Sequence, residues 1–177
     1  IWAPKGFEIA WEQFTLQEGK VNPTVEGNTG NGGKLTVQKK ANEIGIYNDR
    51  INIVFNKKTG LIQSWIVGGK EFLERGPRIN LWRAPTHNDG GYRPKTENEI
   101  SRQWVEAGLD SLQHKLKSFK LTEEKNGTVS VATTFIAQKT GNKSYVEYIT
   151  KYIVDSSGKV QIDTDLKPFG NIISFPR

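Results

Sequence analysis

The chain has 177 residues, no cysteine, and 25 Lys or Arg against 19 Asp or Glu, for a formal net charge of +6. Zero cysteines exclude disulfides, thiol nucleophiles and thiolate metal sites, and no stretch approaches the roughly 18 consecutive apolar residues of a membrane helix, so no membrane partner is expected at a mean hydropathy of −0.58. The basic balance invites a nucleic-acid reading, but the cations are spread along the chain instead of forming a stripe interleaved with stacking aromatics, so no nucleic-acid partner is expected either.

Residues 7–16 alternate as a strand, with Phe7, Ile9 and Trp11 on one face and Ala10, Phe14 and Leu16 toward the other. Residues 26–33 hold four glycines and little that is apolar, the composition of a linker or long loop. The expected organisation is therefore residues 1–33, the end of one domain with a linker, and residues 34–177, a second domain. From Leu35 onward short β-type runs alternate with turns. Runs at 51–55 and 61–67 are joined by Asn56 to Gly60, and Gly60 can supply the positive φ of a tight hairpin. Gly68 and Gly69 turn the chain into a run at 70–73.

Residues 97–107 depart from this pattern. Thr96 and Glu99 have capping-box spacing, Ile100 and Trp104 fall one turn apart, and Gly108 stands where a C-cap glycine belongs, which predicts a short helix with Trp104 as its core anchor. Runs at 116–122, 128–138, 145–154 and 160–166 follow, separated by Asn126-Gly127, by Gly141-Asn142 and by a turn ending at Gly158. Lys115, Lys117 and Lys120 beside Glu123 and Glu124 fit the guarding of an exposed strand edge. The fold class expected is all-β, an antiparallel sandwich with one short helix. Residues 171–177 read as an apolar strand with nothing after it to cover it, and Ile1-Trp2 begins without a cap, so the chain is expected to be a fragment.

The site-like stretch is 80–92, where an apolar, strand-like run breaks into a loop crowded with polar residues and glycines. Leu81 and Trp82 can anchor it in a core, Pro85 removes a ladder donor, and Gly90 and Gly91 permit backbone angles closed to other residues. Arg83, Thr86, His87, Asn88 and Asp89 crowd between them, either as a capped surface turn or as a site on a stiff base.

Asn80 to Thr86, then Asn88 and Asp89, then Trp104 and Ala107 to Asp110, resemble the opening of the last, small-chain-type domain of the multidomain β-galactosidases of glycoside hydrolase family 2. Residues 6–14 resemble the strand closing the preceding immunoglobulin-like domain, and Asn56 to Ile62, Gly69 to Glu71 and Gly76 to Arg78 resemble the strands leading into the motif. The family usually has an aspartate where this chain has His87. The resemblance implies a partial supersandwich of the galactose-mutarotase type over 34–177, truncated before its remaining strands. It further implies a loop, comprising Arg83, Thr86, His87, Asn88, Asp89, Gly90 and Gly91, that borders the substrate pocket of the assembled enzyme.

Retaining glycosidases place two carboxyl groups about 5–5.5 Å apart. In the resembled family both belong to a barrel, and no alternation of strands and helices of that kind occurs here. No catalytic residue is therefore assigned, and the chain alone is expected to be inactive. Arg83 is expected to orient the loop through an ion pair or carbonyl contacts, while Asn88 and Asp89 offer groups that sugar hydroxyls could bond. Two histidines, His87 and His114, are too few for a transition-metal cluster; magnesium or sodium used by the parent would be held mainly in the barrel. The resemblance implies other domains of the same enzyme as partners, a galactoside substrate, homo-oligomers, and a bacterial-type enzyme of cytoplasm or periplasm. A free-standing carbohydrate-binding module is the rival reading and would need aromatics on a flat exposed face, whereas Trp65, Trp82 and Trp104 sit in apolar contexts. A sugar epimerase would need a positioned histidine and carboxylate.

Overall fold

The computed structural model describes residues 33–91, 99–172 and 174–176. The strand expected at 7–16, most of the linker and residues 97–98 lie outside them. Five strands, β1 (Thr36–Lys39), β2 (Glu43–Tyr47), β3 (Ile51–Asn56), β4 (Leu61–Val67) and β5 (Lys70–Glu71), form one antiparallel sheet in sequence order. A helix, α1 (Ile100–Glu106), follows, and β6 (Gln113–Glu123), β7 (Val129–Gln138), β8 (Tyr145–Val154) and β9 (Val160–Phe169) form a second sheet, again in order. Each neighbouring pair is antiparallel, as short glycine-bearing turns between adjacent runs require.

Alternation explains which face is buried. Ile44 and Ile46 of β2, Ile51, Ile53 and Phe55 of β3, and Ile62 of β4 turn to one side and meet Val129, Val131, Tyr152 and Val154 of the second sheet. Phe55 packs edge-on against Tyr152 at 5.2 Å between ring centroids and against Phe119 at 6.3 Å, so aromatic contacts tie the two sheets together. The sandwich was legible from the punctuation of the sequence. β6 is an edge strand with Lys115, Lys117 and Lys120 exposed, the arrangement expected of lysines guarding an edge.

Three local expectations need correction. Residues 80–86 form no strand although Leu81 and Trp82 are apolar; Asn80 satisfies the backbone instead, its Oδ1 accepting from the Trp82 N–H at 3.1 Å and its amide donating to the Trp82 carbonyl at 2.8 Å. The helix begins only at Ile100, and Glu99 caps it with its carbonyl, which accepts from the N–H groups of Arg102 and Gln103, and with no side-chain cap bond. The described residues of 171–177 contain no strand, and Ile172 and Phe175 are partly buried, packing on the cluster of Trp104, Ala107 and Leu109.

Candidate functional site

The stretch leading to the loop is fixed from below. Leu81 packs on the cluster of Phe135, Ala137, Val146 and Tyr148, and Trp82 meets Trp104 edge to face at 6.4 Å. Trp104 is 3% exposed, with its indole N–H donating to Ser174 at 3.1 Å. The Arg83 guanidinium lies 5.2 Å from the Trp104 ring centroid, so a cation–π contact joins the core to the loop.

From there Arg83 forks onto Asp89. Its Nη1 donates to Oδ2 at 2.7 Å and its Nη2 to Oδ1 at 3.1 Å, a two-pronged pair that fixes direction as well as distance. The same Asp89 Oδ2 accepts from the Thr86 N–H and hydroxyl, both at 2.7 Å. A single 3₁₀ turn, His87–Asp89, lies within this clamp, closed by the Asp89 and Gly91 N–H groups donating to the Thr86 carbonyl. The Arg83 guanidinium, and after it the two Thr86 donors, hold the Asp89 carboxyl well below the usual carboxylate range, and Asp89 in turn raises the Arg83 value. Both groups stay charged.

Gly90 and Gly91 have φ of +92° and +68°. A Cβ on Gly90 would come within 2.6 Å of the Glu99 Cβ, while one on Gly91 would meet open space. The sequence-predicted residues thus divide. Arg83, Thr86, Asp89 and Gly90 build an internal clamp; His87 and Asn88 are exposed on its outside. Asp89, read from residue type as an acceptor for sugar hydroxyls, is 8% exposed and bonds within the loop.

Among the described residues no group of three or more His, Cys, Asp or Glu stands together. His87 and Asp89 do not fit a cation, since both Asp89 oxygens already accept from Arg83 or Thr86. Trp65 and Trp82 are partly buried against core clusters and Trp104 is buried, which removes them as a flat stacking face.

Sequence reasoning missed one polar pair. His114 Nδ1 lies 2.9 Å from the Tyr148 hydroxyl, with burial and then the Arg78 charge lowering the histidine's value, and burial pushing the phenol up to about 12. The two residues are 34 apart in the chain, and only the pairing of β6, β7 and β8 brings them together.

Residues 47–177 match the family model described as β-galactosidase small chain. A protein named β-galactosidase from Halalkalibacterium halodurans is 33% identical over 135 residues, covering 76% of this chain and 12% of its own length. One of the same name from Psychromonas ingrahamii is 27% identical over 188 residues, covering 99% of this chain and 17% of its own, and one from Oenococcus oeni is 36% identical over 122 residues, covering 66% and 12%. The chain spans less than a fifth of the length of these relatives.

Proposed function

This chain belongs to the β-galactosidase small-chain family, and from that premise we propose that it is the non-catalytic C-terminal part of a β-galactosidase of glycoside hydrolase family 2. The parent removes terminal β-D-galactosyl groups by a retaining mechanism in which one glutamate is acid and base and a second is nucleophile, both on a barrel domain outside this sequence. This part packs on the barrel and carries the loop of Thr86 to Gly91 to the rim of the substrate pocket. Its partners are the other domains of the same polypeptide and further copies of it, and any magnesium or sodium ion the parent uses is coordinated outside this chain.

The observation that carries the reading is the Arg83–Asp89 clamp. A loop held by a two-pronged ion pair and anchored on Trp104 presents His87 and Asn88 outward on a stiff base, which suits positioning groups for sugar hydroxyls better than a slack turn would. In the full-length protein, Asn88→Ala and His87→Ala are each expected to raise KM for a chromogenic β-galactoside roughly three- to tenfold, the worth of one hydrogen bond. Unchanged kinetics in both would return the loop to a structural turn. Turnover by the 177-residue chain alone would refute the placement of the catalytic pair elsewhere.

A further inference from the structure

Among the described glycines, Gly45 alone has neither a left-handed backbone nor a crowded α-carbon; the others have positive φ or, at Gly76, would press a Cβ into the Ile62 carbonyl. A glycine inside a strand weakens it and often marks a place where another molecule approaches closely. Nothing in the fold requires this one. A Cβ built on Gly45 meets only Gln38, at 3.8 Å, which is ordinary contact.

Gly45 lies in β2 between two core isoleucines, so it faces outward, opposite Gln38 of β1 and Val54 of β3. The missing side chain opens a groove of about 370 Å³ on the outer face of the first sheet, within the size range of small-ligand clefts. Its walls combine amides, a phenol, one ion pair and the Val54 side chain. The Gln38 and Asn52 amides and the Tyr47 phenol have no bonding partner among the described residues, and Tyr47 is 38% exposed. Lys40 and Glu43 lie 3.8 Å apart and cancel in charge.

We propose that this groove binds a neutral oligosaccharide, at a site sharing no residue with the Thr86 to Gly91 loop. An aromatic ring and an apolar floor at Val54 suit the C–H face of a pyranose, and two amides suit its hydroxyls. The cancelled charges give an anion no advantage, and the amides would lose hydrogen bonds against a lipid chain.

The test is native electrophoresis of the full-length protein through gels containing soluble β-1,4-galactan, hydroxyethyl cellulose or polygalacturonate, compared with plain gels. Retardation by at least one of the two neutral polymers is expected, with a loss of about tenfold or more in affinity in both Gly45→Val and Tyr47→Ala. Turnover of a small chromogenic β-galactoside should be unchanged in these variants, which separates this site from the proposed pocket loop. Gly45→Val should also melt at the same temperature as the parent or higher, because the position is unstrained and valine favours a strand. Retardation by the polyanion alone, retardation kept by Gly45→Val, or a lowered melting temperature for that variant would each overturn the proposal.

Discussion

At the scale of single residues, Asp89 decides the shape of the loop. Replacing it with asparagine removes the charge facing Arg83 and turns an amide donor toward a guanidinium that is itself only a donor. Asp89→Asn is therefore expected to lower the melting temperature by a few degrees and to reduce kcat/KM of the parent. Its pH dependence has a definite sign. Arg83 depresses the folded carboxyl below the ordinary aspartate value of 3.8, so the stabilisation is fully present above that value and fades as pH falls through the lower, folded one. The melting-temperature gap between wild type and Asp89→Asn should be constant near neutrality and narrow below 3.8; a gap that widens in acid would refute the account. The two adjacent glycines differ in the same spirit. Gly91→Ala costs about 1–2 kcal/mol for a left-handed backbone alone, and Gly90→Ala costs more because the Glu99 Cβ must also move. Chemical denaturation of the two variants checks the order.

At the scale of elements, α1 is short, and tertiary contact holds it more than its caps do. Trp104 joins it to Trp82, Ser174 and Arg83 at once. Trp104→Ala should cost about 3–5 kcal/mol as a buried aromatic truncation and also loosen the loop, read as increased proteolysis between Arg83 and Gly91; cleavage unchanged from wild type would separate helix from loop. This element also shows what was readable beforehand. Trp104 as anchor and Gly108 at the helix end were legible, since an apolar residue one turn into a capped segment and a glycine after it have few other uses. The expected start at 97 and the Thr96 half of its capping box lie outside the described residues, while at Thr86 and Asp89 the same spacing of threonine and acid does form side-chain bonds. The hairpins were legible because a turn glycine and strict alternation agree within a few residues. The Asn80 substitute for a strand partner was not, because an asparagine before two apolar residues has the same pattern whether its side chain or a neighbouring strand satisfies the backbone.

For the whole molecule, folding buries Tyr148 and Tyr152 and half-buries His114, and this sets stability limits on both sides of neutrality. The sandwich itself was legible from alternation, but which polar groups it would enclose was not, since His114 and Tyr148 meet only through the pairing of β6, β7 and β8, and Tyr152 meets Phe55 only once both sheets close. On the acid side, burial and Arg78 lower the His114 value below 6.5, so the unfolded chain takes up a proton that the folded one resists and stability declines as pH drops through that range. On the alkaline side, burial pushes Tyr148 and Tyr152 from 10 up to about 12. The folded protein keeps protons that the unfolded chain releases, so their contribution is complete below 10 and is lost as pH rises toward 12. Melting temperature measured against pH should therefore fall on both flanks. Tyr148→Phe should flatten the alkaline flank while losing the bond to His114, and a flank as steep as in wild type would assign the alkaline loss to Tyr152 or to groups elsewhere instead of Tyr148.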